Sequence, residues 1–203
     1  MYQKLIKPAL DLLAACILLV LLSPVLIIGL LAAAFDTRGN PIFTHVRPGF
    51  REKPIKLFKL RTMRGEFDSN GNQLTNLQRV TRIGGFLRTT SIDELPQLLN
   101  VLLGEVSLVG PRPLEMWYLP HYSQEQRVRH EVKPGITGLA QVSGRNTLTW
   151  EEKFELDVRY VRSVSFLLDV KILLLTCKKV FNSGEINSGK TKTMEAFAEK
   201  PKK

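Results

Sequence analysis

Cysteine is all but missing from this chain. The two present, Cys16 and Cys177, lie in apolar segments with neither zinc-ligand nor redox spacing, so no disulfide framework is to be inferred. A reducing, cytosol-facing body fits. Acidic residues are also in short supply. Against 29 Lys and Arg there are 19 Asp and Glu, a formal charge of +10, which points to anionic partners: nucleic acid, lipid headgroups or phosphorylated substrates. Nucleic acid fits worst, because the basic residues form neither one readable helix nor a recognised module. Long apolar runs number just one, and 203 residues bury one sizeable core, so one compact domain with attachments is expected.

That run, AACILLVLLSPVLIIGLLAAAF over residues 14–35, belongs to a stretch of 24 uncharged residues, Leu12 to Phe35. As a helix it would measure about 36 Å, enough for a bilayer core of ~30 Å. It is too long for a secretory signal and has no small-residue cleavage site. Ser23-Pro24 interrupts it. Proline cannot bond to the carbonyl of Val20 and pushes Ser23 from helical geometry, so a break is expected here. Lys4, Lys7 and the amino terminus precede the run, and eight Lys/Arg stand in residues 36–64 against Asp36 and Glu52. Both flanks then read as cytoplasmic, and a re-entrant helical hairpin satisfies break and charges together. A kinked span is the alternative.

Beyond it, IFTHVRPG and PIKLFKLRTM alternate as a β-hairpin, one face expected to carry Lys56, Arg61 and Lys59. Residues 65–80 are polar and Gly/Asn-rich, a loop. In TTSIDELPQLLNVLLGEVSLVGPRPLE the residues Leu95, Leu98, Leu99, Leu102, Leu103 and Val106 recur on one helical face, with Gly104 as a stop signal. Ser91 and Glu94 form a capping-box pattern that puts Asp93 in the first turn. Pro96 cannot bond back to Ile92, which leaves a carbonyl expected free beside the acids. An ionised Asp93, that carbonyl and a phosphate would make a Mg²⁺ site, since this ion takes one or two carboxylates plus substrate oxygens. Acids at a helix start are ordinary, however, and a purely structural role is the competing reading.

Arg112 stands between Pro111 and Pro113, a rigid mount for a guanidinium facing phosphate. Arg145, closing KPGITGLAQVSGRN, is a second candidate phosphate ligand. Thr149 and Glu152 cap a further helix on which Asp157 shares an apolar face with Trp150, Phe154, Val158 and Val161, so it needs a partner. Residues 165–181 are too short and too charged to span a bilayer and read as an amphipathic interfacial helix with Lys178 and Lys179 near the headgroups. The tail contains GEINSGKT, residues 184–191, a match to the nucleotide phosphate loop. Only 12 residues follow it, without a strand, so the context contradicts the motif.

Over residues 1–181 the chain resembles the small monotopic phosphoglycosyl transferase family of bacterial sugar transferases. The likeness rests on Ser23-Pro24, LFKLRTM, RTTSIDELPQLLNVLLGEVSLVGPRPL, RHEVKPGITGLAQVSGRN and FELDVRYV. It implies transfer of a sugar 1-phosphate from a UDP-sugar to undecaprenyl phosphate at the cytosolic face of the inner membrane, with Mg²⁺. It also implies that Asp93 is the nucleophile and Glu94 its partner in a dyad, with Lys59, Arg88, Arg112, Arg145 and Asp157 around them. The likeness is strongest to members that begin N-linked protein glycan assembly, which implies UDP-N,N′-diacetylbacillosamine as donor, other N-acetylated UDP-sugars as rivals, and downstream glycosyltransferases as possible partners beside anionic lipids. Larger members carry an added N-terminal membrane domain.

The expected architecture is α+β and monotopic: a re-entrant membrane helix at 1–36, a cytosol-facing catalytic domain with interfacial helices and a small β-hairpin at 37–181, and a basic tail at 182–203. A non-enzymatic membrane scaffold would explain the hairpin and the charge, but not an acid pair at a helix start together with a proline-fixed arginine.

Overall fold

The computed structural model describes residues 1–65, 67, 71–144, 147–181 and 196–198. Arg145, the GEINSGKT stretch and most of the 182–203 segment lie outside the described residues, as does part of the 65–80 loop.

Helix α1 runs unbroken from Lys7–Thr37, 31 residues, after one π-helical turn at Tyr2–Ile6. The break expected at Ser23-Pro24 is absent. The carbonyl that Pro24 cannot serve, that of Val20, accepts instead from the Ser23 hydroxyl at 2.8 Å, so the helix continues with its backbone satisfied. By length and composition α1 is able to cross a membrane. Both of its ends are fastened to one body. Near the start, Lys7 donates to Asp169 at 2.8 Å, Asp11 accepts from the Ser107 hydroxyl at 2.7 Å, and Ala15 is fully buried. Near the end, Gly29 and Ala33 pack on Leu60, Leu87 and Ile92, so closely that a Cβ on Gly29 would lie 2.8 Å from Leu60. Between them Val20 and Leu21 stand out, 74% and 66% exposed.

Strands β1 (Ile42–Pro48) and β2 (Pro54–Leu60) pair antiparallel from Ile42↔Leu60 to Pro48↔Pro54, the expected hairpin. Lys56 and Lys59 do not share a face, because residues three apart on a strand point to opposite sides. Residues 65–80 are not all loop: α2 (Asn76–Arg79) forms a turn with Thr75 and Gln78 as a reciprocal cap. Helix α3 (Arg82–Thr89) follows. The 91–106 segment is not one helix. A 3₁₀ turn at Ile92–Glu94 precedes α4 (Gln97–Leu102), with Pro96 at its N-cap. Gly104, at φ 74°, ends it as expected. The leucines divide between two sides. Leu98, Val101 and Val106 are buried, whereas Leu99 and Leu103 are exposed at 43% and 64%.

Strand β3 (Ser107–Val109) pairs in parallel with β4 (Gly135–Thr137) through Ser107↔Gly135 and Val109↔Thr137. Between them lie α5 (Gln124–Arg127) and two 3₁₀ turns, Met116–His121 and Val128–His130. The backbones of Gly110 and Gly135 approach so closely that a Cβ on Gly135 would fall 2.1 Å from the Gly110 nitrogen; only glycine fits. Helices α6 (Leu139–Ser143), α7 (Trp150–Arg162) and α8 (Phe166–Phe181) complete the fold. The capping box predicted for α7 is present, Thr149 with Glu152. The main core joins Leu57, Leu98, Val101, Val106, Val109, Tyr160 and Ile172 to Ala15 of α1. On α8, Asp169 and Ile172 are buried while Phe166, Leu167 and Leu174 are exposed, so apolar residues stand on both sides of the helix.

Candidate active site

A cavity of about 640 Å³ opens between the β1–β2 hairpin, the 91–97 turn, the 112–118 segment and α7. Asp93, Glu94, Lys59, Arg88, Arg112 and Asp157 all line it, so of the predicted catalytic and phosphate-binding residues all are placed there but Arg145, which lies outside the described residues.

The expected capping box at Ser91 is not formed. Ser91 sits in the left-handed region, φ 58° and ψ 17°, and makes no side-chain cap bond. This reversal, costly for a residue with a Cβ, turns the chain so that Asp93 and Glu94 both reach the cavity. Nor is the Ile92 carbonyl free, since it accepts from the Leu95 N–H at 3.2 Å. Asn100, fully buried, fixes the hairpin against this turn: it accepts from Phe58 N at 3.1 Å and donates to Lys56 O at 2.7 Å. Lys59 is thereby held over the acids.

The two carboxylates differ in kind. Glu94 Oε1 receives both Lys59 Nζ at 2.7 Å and Arg112 Nη2 at 2.8 Å. Burial would raise its pKa, but the charges and hydrogen bonds of Arg112 and Lys59 prevail and hold it well below the usual carboxylate range. Asp93 has no such clamp. Burial, then the charge of Glu94, push it up to about 6, against the weaker pull of Lys59, Arg88 and Arg112. One acid is permanently ionised and organises two cations. Its neighbour is a more basic, more nucleophilic carboxylate.

Asp157, also buried, finds its partner in Arg129, a residue that sequence reasoning missed. Arg129 Nη2 lies 2.7 Å from Asp157 Oδ2, and the same nitrogen donates to the main-chain carbonyl of Arg112 at 2.7 Å. Its guanidinium lies 5.6 Å from the ring centres of both Tyr122 and Phe154. Among the described residues Asp157 therefore meets no candidate substrate cation directly; through Arg129 it steadies the loop that carries Arg112. In sequence Arg129 sits in RVRHEV, where nothing in the run of charges marks it for burial. Arg47 and Glu115, paired at the cavity wall with His45 3.4 Å from Glu115, were also missed.

The donor set suits magnesium in one manner only. Among the described residues no group of three His, Cys, Asp or Glu side chains is gathered to hold an ion. Asp93 offers one hard carboxylate, which fits an ion taking its remaining ligands from substrate oxygens and water.

The pattern of the family described as "Bacterial sugar transferase" matches residues 2–183. A Bacillus subtilis (strain 168) protein named "Uncharacterized sugar transferase EpsL" is 53% identical, the alignment covering 91% of this chain and 92% of that one. An Escherichia coli (strain K12) "UDP-glucose:undecaprenyl-phosphate glucose-1-phosphate transferase" is 44% identical over 88% of this chain and 41% of its own length. An Erwinia amylovora "UDP-galactose-lipid carrier transferase" is 39% identical over 86% and 40% respectively. The chain thus spans about two fifths of these two longer relatives. From the family match across residues 2–183, the chain belongs to the bacterial sugar transferases.

Proposed function

We propose that the chain transfers a sugar 1-phosphate from a UDP-sugar to undecaprenyl phosphate, releasing UMP, with Asp93 as nucleophile. One observation carries this reading: beside a carboxylate locked to two cations stands a second, Asp93, that is buried, raised to about 6 and faces the cavity. The names of the Escherichia coli and Erwinia relatives describe the same class of reaction.

The steps follow from the residues. An Asp93 oxygen attacks the phosphorus bearing the sugar; the bond from that phosphorus to the bridging oxygen breaks, and UMP leaves. The enzyme retains a sugar-phosphoryl aspartate. A phosphate oxygen of the lipid then attacks the same phosphorus, the Asp93–phosphorus bond breaks, and the carboxylate is restored. Arg112, Lys59 and Arg88 stabilise the charge spread over the equatorial oxygens, and Glu94 keeps the first two in place. Magnesium, held by Asp93 together with the diphosphate, would supply further neutralisation of that charge.

The lipid acceptor places the site at a membrane. Both ends of α1 are tied to one body, and its middle is exposed and apolar, as are Leu99, Leu103, Phe166 and Leu167. These features support a monotopic seat in one leaflet, on the cytosolic side by the positive flanks. The unbroken α1 would meet that leaflet by its apolar middle, a monotopic seat that needs no hairpin and no break at Pro24. The reaction would open a glycoconjugate assembly, with UDP-N,N′-diacetylbacillosamine of the N-linked route as first donor to try. UDP-glucose and UDP-galactose follow from the relatives' names. The test is a panel of these donors with undecaprenyl phosphate and Mg²⁺. One donor yielding UMP and lipid-linked sugar in equal amounts supports the reading, and no product from any of them contradicts it.

A further inference from the structure

One feature of the cavity wall is not used by the chemistry above. Tyr118, Tyr122, Trp150 and Phe154 form a cup of four rings, and a fifth ring, that of Phe197, sits in it. Its centre lies 5.5 Å from Tyr118, 5.7 Å from Tyr122, 5.7 Å from Trp150 and 4.9 Å from Phe154. It stacks on Tyr122 at an interplanar angle of 15° and meets Phe154 edge-on at 77°. The cup joins the catalytic cavity, which Tyr118, Trp150 and Ala196 line together with Asp93 and Arg112.

Cup and occupant differ in origin. All four cup rings fall inside the family match, residues 2–183, whereas Phe197 falls beyond it. Among the described residues the polar hold on Phe197 is one bond, its N–H donating to the Tyr118 hydroxyl at 3.2 Å. An aromatic cup for a flat six-membered ring, adjoining cations that suit a diphosphate, matches the two halves of a uridine diphosphate. Uracil is a flat ring of about the size of a phenyl group, and bases stack on aromatic side chains without needing a particular edge.

We propose that this cup seats the uracil of the donor nucleotide and that Phe197, from the chain's own carboxy-terminal segment, is its resting occupant, displaced when the nucleotide binds. The proposal rests on the UDP-sugar reading above. It makes Phe197 an internal competitor, so the apparent affinity for nucleotide is lowered by the fraction of molecules in which the cup is filled.

The test uses the full chain in detergent, with UMP as the probe that carries the base and inorganic pyrophosphate as the probe that lacks it. Phe197→Ala should tighten UMP about three- to tenfold and lower the KM for the UDP-sugar alike. Pyrophosphate affinity and kcat should not move. UMP affinity unchanged or weakened by Phe197→Ala overturns the proposal, since Phe197 is then a bystander or part of the wall. Trp150→Leu, which keeps an apolar side chain and loses the ring, should weaken UMP about tenfold in either background and leave pyrophosphate unaffected. Equal loss of both probes, or of neither, shows that the base does not sit in the cup. Both binding measurements need no turnover. A chain that binds UMP as described yet releases none from any UDP-sugar would refute the transferase reading while supporting the cup.

Discussion

Arg129 donates through Nη2 to the main-chain carbonyl of Arg112, 2.7 Å away, and through the same nitrogen to Asp157. The guanidinium that faces Glu94 is thus mounted on a second, buried guanidinium, and that one is neutralised by a carboxylate on α7. Proline on either side of Arg112 limits the loop, and the buried pair fixes where it rests.

Asp157→Ala leaves Arg129 charged, buried and unpaired. Removing one partner of a buried pair costs about 3–5 kcal/mol, so denaturant unfolding in detergent should show a loss of that order. The kcat/KM for UDP-sugar should fall on the order of 10- to 100-fold as Arg112 loses its mount. Unchanged stability would mean that the pair is not formed as described.

Arg112→Lys should be at least as damaging to catalysis and nearly harmless to the fold. An ammonium on a flexible stem can reach Glu94 but cannot also offer a planar fork to phosphate oxygens. Expected is a drop of about 100-fold in kcat at little change in melting temperature. Activity within a few-fold of wild type would remove Arg112 from the site.

Two pH effects follow from Asp93, raised to about 6 by burial and by Glu94. Attack needs the ionised form, so kcat/KM should fall as pH drops through about 6, two units above where an ordinary aspartate would titrate. Glu94→Gln removes the second cause and should move this limb to lower pH even as the rate falls. Stability runs the other way. A carboxyl whose folded pKa is raised contributes stability that is fully present below the unfolded value, near 3.9, and lost as pH rises through 6. Asp93→Asn, with no charge to desolvate, should therefore match wild type near pH 3.5 and exceed it by about 3 kcal/mol above pH 6.5. A constant difference across this window would show that Asp93 is not raised.

For topology, Gln3→Cys and Asn40→Cys in a cysteine-free background should both resist a membrane-impermeant reagent applied to intact cells and react after lysis. Labelling of either from outside would contradict a monotopic seat. Lys7→Met together with Asp169→Leu removes the polar tie at the start of α1 and should release residue 3 to the outside in part of the population.

Much of the site was legible because its chemistry is local in sequence. The acid pair at 93–94, Arg112 between prolines and the α7 cap depend on neighbours within four residues. What was misread depends on distant partners or on single bonds. A hydroxyl at Ser23 is enough to carry a helix past Pro24, and no pattern of hydrophobicity records it. Ser91 has the residues of a capping box yet takes a left-handed conformation, because the turn must aim two acids into one cavity. Leu99 and Leu103 share a period with Leu98 but not its burial, since an apolar pattern does not record which of its residues the core covers. Arg129 was invisible for the opposite reason: a charged residue in a charged run gives no hint that aromatic rings enclose it.

The covalent role of Asp93 is the central claim, and one measurement reaches it most directly. Delipidated chain is mixed with the UDP-sugar labelled in the phosphate next to the sugar, with Mg²⁺ and without undecaprenyl phosphate, then quenched over a time course. The expected result is a burst of UMP approaching one per active site, with the label on the peptide containing Asp93 and neither signal in Asp93→Asn. UMP released only once the lipid phosphate is added, with no label trapped at any time, would contradict the two-step route and leave Asp93 as a metal ligand in a direct transfer.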